Sequence, residues 1–222
     1  MKEEIRRAQT PRVAAAKRRS LIMEAAASAF AEYGFDTTSM DEIARRANVT
    51  KPVLYQHFDS KRALYLALLS QVGTELTEQI AVATEDVPEP HSRLAMGISA
   101  YYKFVHDQHF AFSLLFQSRP PGDEEITSLI SGVRDAIALL VTTRLTGIDD
   151  RTERQLVASG LIGLVEGTAA SYLRSSEART DFEKPFRNSA ALVWAEHTTD
   201  LLWHGLRSPR APLTPSTPQR QA

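Results

Sequence analysis

The stretch ANVTKPVLYQHFDSKRALY, residues 47–65, places a proline, a lysine, a tyrosine and a histidine within seven positions of one short helix. Thr50 suits the N-cap, and Pro52 falls in the first turn, where a missing N–H costs nothing. Leu54 and Phe58, four apart, form the single apolar stripe. Thr50, Lys51, Pro52, Val53, Tyr55, Gln56 and His57 remain on or near the other side. A helix that only packed a core would not need them.

The preceding segment, DTTSMDEIARRA at 36–47, predicts a second short helix. Ser39 followed by Glu42 forms a capping box, and Asp41 and Glu42 suit the positive end of the helix dipole. Ile43, Ala44 and Ala47 give it an apolar face. NVT at 48–50 is a tight break, with Val49 filling the gap beneath. Two short helices across such a turn are a helix-turn-helix, in which the second helix enters the DNA major groove.

Each outward residue has a use on DNA. Lys51 suits a guanine edge or a phosphate, Gln56 an adenine, and Thr50 and Val53 a thymine methyl. Tyr55, His57 and Lys61 suit phosphates, as do Arg45 and Arg46 on the bracing helix. Without other information, a solvated surface helix beside a basic tail fits the same pattern.

Upstream, residues 1–16 read as a flexible basic arm. From Lys17 a helical period runs through Leu21, Ile22, Ala25, Ala26, Ala29, Phe30 and Tyr33, and Gly34 ends it. Ser60 caps a fourth helix reaching about Thr84, and EDVPEPH reads as a linker. Beyond it the spacing predicts helices near 91–106, 109–117, 124–146, 151–174 and 185–206, with no convincing strand. The proline-rich tail from 207 to 222 has the composition of a disordered segment.

Residues 18–66, RRSLIMEAAASAFAEYGFDTTSMDEIARRANVTKPVLYQHFDSKRALYL, resemble the N-terminal domain of the TetR family of bacterial transcriptional regulators. The resemblance rests on the alanine-rich first helix, on G-F-x-x-T-S/T before the second, and on A-N-V-T-K-P-V-L-Y-Q-H-F-x-S-K. It covers about 50 of the 222 residues. It implies an all-α protein, with a three-helix DNA-binding domain at 17–60 and a helical ligand-binding and dimerisation domain at 61–206. It implies that Thr50, Lys51 and Pro52 open the recognition helix and that Tyr55, Gln56 and His57 face the groove. Lys61 and Ser39 match positions that touch phosphate. Gln56 departs from the pattern, which often has an aromatic there. The implied function is a dimeric repressor on a palindromic operator, released by a hydrophobic small molecule.

Two sets of body residues follow from this. Gly160, Gly163 and Gly167 are costly inside a helix and make sense where another helix comes close. With Leu161, Leu164, Val193 and Leu201 they are the candidate dimer interface. YYKFVHDQHFAFSLLFQ, residues 101–117, is rich in aromatics, as ligand cavities are. Tyr101, Tyr102, Phe104, His109, Phe112 and Phe116, with Glu166 from another helix, are the candidate pocket. Aromatics at helical spacing also read as plain core.

Composition narrows the remaining classes. The net charge is −1, but residues 1–67 hold twelve Lys and Arg against eight Asp and Glu, and the rest fourteen against nineteen. A basic N-terminal module on an acidic body is the expected result. There is no cysteine, hence no disulfide or thiol chemistry. His106 and His109, three apart on one face, could bind a metal with Asp107 or Glu166 but read better as a capping or core pair, and no phosphate loop or nucleophile elbow argues for an enzyme or a cofactor. No continuous apolar run approaches a membrane span, and the N-terminus lacks the apolar centre of a signal peptide. The expectation is a cytoplasmic protein without a membrane partner. The competing reading is a ligand- or partner-binding protein whose helix-turn-helix does not read sequence.

Overall fold

The computed structural model describes residues 2–116 and 123–207, with side chains at 15–115 and 123–205. The segment 117–122 and most of the proline-rich tail lie outside the described residues, as does the Phe116 side chain. All regular structure among the described residues is helical. The order is α1 (Lys2–Tyr33), α2 (Met40–Arg46), α3 (Lys51–His57), α4 (Lys61–Thr84), α5 (Pro90–Asp107) and α6 (His109–Phe116). Then come α7 (Glu124–Arg144), α8 (Arg151–Arg174), the single turn α9 (Ser176–Arg179), a 3-10 turn (Phe186–Asn188) and α10 (Ala190–Arg207).

Two expected boundaries shift. The segment expected as a flexible arm, residues 1–16, continues α1, which starts at Lys2. The run Ala14–Ala16 has the highest helix propensity available. The helix expected from 185 starts at Ala190, because Pro185 leads into a 3-10 turn and the Ser189 hydroxyl accepts the Leu192 amide at 3.3 Å.

The loop between α1 and α2 explains the G-F-x-x-T-S/T pattern residue by residue. Gly34 adopts a φ of 81° and ends α1. Phe35 joins Phe30 and Tyr65 in a cluster with ring centroids 4.9–5.7 Å apart. The buried Thr38 hydroxyl donates to the Ala29 and Gly34 carbonyls, and the Ser39 hydroxyl accepts the Glu42 amide.

α4 serves two cores. Leu64 and Tyr65 are fully buried near its start, and Leu76 is fully buried beyond its midpoint, where the helix runs along α5 and α7. At Gly73, an added Cβ would lie 2.3 Å from Val133 Cγ2 on α7. Only glycine lets the two helices come this close.

Behind this, a buried polar network joins α5, α8 and the segment leading to α10. The Tyr172 hydroxyl donates to Asp181 Oδ2 at 3.1 Å, and His106 Nε2 pairs with the Lys184 carbonyl oxygen at 2.9 Å. Burial pushes the Asp181 carboxyl up. Hydrogen bonds from Lys184, the Ala191 amide and Tyr172 outweigh that and hold it below its ordinary value.

By length and composition, α7 and α8 are each apolar enough to cross a membrane. Neither helix is a continuous apolar run, because Arg134 and Asp135 interrupt α7 and Glu166 interrupts α8. Here Ile126, Ile130 and Ile137 of α7 and Ile162, Val165 and Tyr172 of α8 are buried in the protein interior.

The close approach of α4 and α7 gives a paired test. Gly73→Ala should cost about 1–3 kcal/mol in chemical denaturation, through overpacking. Gly132→Ala, where an added Cβ meets nothing within 4 Å, should instead stabilise by roughly 0.5–1 kcal/mol.

Candidate DNA-binding surface and ligand cavity

The turn between α2 and α3 is a Schellman motif built on asparagine. Asn48 sits at φ 52°. Its N–H donates to the Arg45 carbonyl at 3.2 Å, and the Val49 N–H donates to Ala44 at 3.0 Å. α3 then buries Leu54 and ends on buried Phe58. Thr50 occupies the N-cap, yet its hydroxyl caps nothing. Lys51, Pro52, Tyr55 and Gln56 are exposed, and Val53 and His57 are half-buried. The outward face is the one expected.

The cations around α3 fall into two groups. Lys51 pairs with Asp41 at 2.8 Å, and Arg45 pairs with Glu42 at 2.7 Å. The Lys51 pair is solvent-exposed on both sides and therefore weak, so a phosphate can replace the carboxylate; Arg45 is itself exposed but grips the half-buried Glu42 through two bonds. The second group is spent on the fold. Arg46 donates to Glu42, Ser28, Glu32 and the Tyr33 hydroxyl at 2.7–3.1 Å, fastening α2 to α1. Hydrogen bonds from Arg45 and Arg46 hold the Glu42 carboxyl down at about 2. Arg19 lies 4.3 Å from the Phe58 ring centroid and donates to the His57 carbonyl, closing the end of α3.

Lys61 departs from its expected role. Its ammonium donates to three carbonyls, those of Phe35 (2.7 Å), Asp36 (3.0 Å) and Thr38 (2.9 Å), and lies over the Phe35 ring. All three donors hold the loop before α2, and none is left to a phosphate in this arrangement. The loop after Gly34 points its carbonyls inward at α4, which spacing could not show. The neighbouring Arg62 bonds Asp123 at 3.0 and 3.1 Å and Glu125 at 2.6 Å, tying the start of α4 to the start of α7.

The body holds a partly open cavity of about 390 Å³ bounded by α4, α5, α7 and α8, with Trp203 of α10 also in its lining. The wall from α5 is the stripe Arg93, Leu94, Gly97, Ile98 and Tyr101; the wall from α7 is Ile137, Leu140, Val141 and Arg144. Of the expected pocket residues, Tyr101 lines this cavity. Tyr102, Phe104 and Phe112 are fully buried in the core instead, because they lie on the faces of α5 and α6 that pack against the other helices. His109 stacks on Phe182 at 3.8 Å, and Glu166 takes a bidentate bond from Arg134. The other residues of the cavity wall were not among those expected there. Their signal was an arginine set within each of two apolar stripes at three- and four-residue spacing.

The expected dimer residues divide as well. Gly160, Gly163 and Gly167 are exposed, and a Cβ added at any of them meets nothing within 4 Å. They therefore do not serve packing inside the subunit. Leu156, Val193 and Leu201 are exposed to 70, 47 and 58%. Leu161 does not join them: it lines the cavity, and Leu164 packs against the core.

Residues 22–68 match the family described as bacterial regulatory proteins, tetR family, and residues 90–195 match the tetracyclin repressor-like C-terminal domain. The chain belongs to the TetR family of bacterial transcriptional regulators. The HTH-type transcriptional activator FasR of Mycolicibacterium smegmatis is 29% identical over 204 residues, covering 90% of this chain and 87% of FasR. A TetR-like regulator from Rhodococcus sp. RHA1 superposes with a TM-score of 0.65 at 25% identity, covering 85% of this chain and 95% of its own. FadR from Bacillus subtilis, solved with stearoyl-CoA, gives 0.66 at 16% identity, covering 82% and 96%. At that identity it shows the fold alone.

Lys61→Met tests the loop clamp. It should lower unfolding stability by about 1–2 kcal/mol while leaving the salt slope of DNA binding unchanged. Loss of a phosphate contact would instead reduce that slope by about one unit.

Proposed function

We propose that the protein is a cytoplasmic, ligand-responsive transcriptional regulator that binds a palindromic operator as a homodimer and answers to an apolar small molecule. The observation that carries the DNA reading is α3, whose core side is buried while Tyr55 and Gln56 stand exposed and the Thr50 hydroxyl is unspent. Thr50, Lys51, Val53 and Gln56 read base edges. Pro52 starts the helix at the groove, and Ser39, Arg45, Tyr55 and His57 meet phosphates. Lys61 contributes by fixing the loop in front of α2.

One such module reads too few base pairs, and twofold symmetry supplies the second. The dimer face is the exposed stripe of Leu156, Gly160, Gly163 and Gly167 on α8, beside Val193 and Leu201 on α10. The glycines allow backbones to approach, and burial of the leucines drives association.

The cavity is the effector site, and α7 is the transmitting element. One end of α7 lines the cavity with Arg144, and the other grips Arg62 through Asp123 and Glu125. A ligand that favours one position of α7 favours one spacing of the two recognition helices. Operator DNA must alter ligand affinity by the same factor. FasR is named an activator; whether binding activates or represses is set by where the operator lies relative to the promoter, so the sign of control is not built into this fold.

Selection of genomic fragments by the purified protein at physiological salt should return a partly palindromic site. Tyr55→Ala should weaken binding to that site by about 1–3 kcal/mol with thermal unfolding unchanged. Recovery of fragments without a common site would leave only the competing reading, a helix-turn-helix that does not read sequence; an unaffected Tyr55→Ala would remove Tyr55 from the DNA contacts. For the dimer, Gly163→Arg should sediment as a monomer with unaltered helical circular dichroism, because the position is open in the subunit.

A further inference from the structure

The cavity is almost wholly apolar, yet two of its lining side chains carry a buried polar atom with no partner: the Tyr101 hydroxyl and Arg144 Nη1. Buried donors of this kind are costly unless something accepts from them. The Arg144 guanidinium is further unusual in lacking any carboxylate. Its Nη2 donates only to the Ala81 carbonyl at 3.3 Å. Arg93, beside it, donates from its three nitrogens to the carbonyls of Val87, Pro88 and Arg144. Among the described residues, neither arginine forms an ion pair. One end of an apolar chamber therefore holds two positive charges with no compensating negative one.

Tyr101 lies eight residues further along α5 than Arg93, about 12 Å at 1.5 Å per residue. The Arg93 side chain donates to the Arg144 carbonyl, so the end of α7 meets the Arg93 end of this stripe, with Leu94, Gly97 and Ile98 between it and Tyr101 along α5.

We infer that the effector is an apolar carboxylic acid. Its carboxylate is held by Arg144, its chain lies along the apolar wall, and an oxygen at its far end accepts from the Tyr101 hydroxyl. The inference rests on the reading of the cavity as the effector site. A monoanion fits better than a phosphate ester. Each Arg93 nitrogen already has a carbonyl acceptor, which leaves Arg144 as the principal donor, and the edge of one guanidinium matches the two oxygens of a carboxylate. The low-dielectric walls strengthen that pairing. The charge also lies at the C-terminal end of α7, so neutralising it alters the helix whose other end grips Arg62.

The test is calorimetric titration of the full chain with decanoic acid, its methyl ester and 10-hydroxydecanoic acid. The acid should bind about tenfold or more tightly than the ester. Arg144→Gln should remove that difference, chiefly by weakening the acid, and Arg144→Lys, which keeps the charge, should retain part of it. The hydroxy acid should bind more tightly than decanoic acid, and Tyr101→Phe should abolish the preference. Equal binding of acid and ester, or an acid preference that survives Arg144→Gln, would overturn the carboxylate assignment while leaving the cavity as the effector site. Equal binding of the two acids would overturn the contact to Tyr101. If neither the acids nor the ester bind, the effector-site reading itself falls.

Discussion

Two adjacent cations at the start of α4 link the recognition helix to the body. Lys61 turns back and holds three carbonyls of the loop that sets α2. Arg62 turns the other way and holds the acidic start of α7. Between them, the position of α2, and through the Schellman turn that of α3, is referred to the position of α7. The Gly73–Val133 contact adds a second constraint, since α7 cannot move freely against α4 at a point where backbone meets side chain.

That geometry explains why so much charge near α3 is internal. Arg46 and Arg19 fix the helix-turn-helix as a rigid unit, while Lys51 rests in an exposed pair that exchanges readily and Arg45 stands exposed beside Glu42. A surface of this kind holds its shape without DNA yet still has cations to offer. The cavity follows the opposite logic. Its walls are apolar and its few polar atoms are incompletely partnered, which is the arrangement expected where a ligand completes the hydrogen bonding.

The fold class and the helix-turn-helix were legible because their signals are local. Ser39 with Glu42, Thr50 with Pro52, and Gly34 after Tyr33 are capping choices made within a few residues, and Leu54 with Phe58 defines a face by spacing alone. The exposed glycine stripe of α8 was legible for the same reason. Aromatic content in residues 101–117 was a poor guide to the cavity, because Tyr102, Phe104 and Phe112 serve the core while isoleucines, a glycine and two arginines make the wall.

By itself, the sequence determined the succession of helices, the caps of the helix-turn-helix, which side of α3 faces outward, and the family; the starts of α1 and α10 were not among them. Those it determined follow from periodicity and capping, which act over one or two turns. Only the tertiary structure decided the use of each charge and the place of the cavity. Lys61, Arg46, Arg62 and Arg144 look alike in one dimension. What separates them is whether a carbonyl, a carboxylate or an apolar wall lies within about 3 Å, a hydrogen-bond distance, and such partners come from elements 14 to 63 residues away.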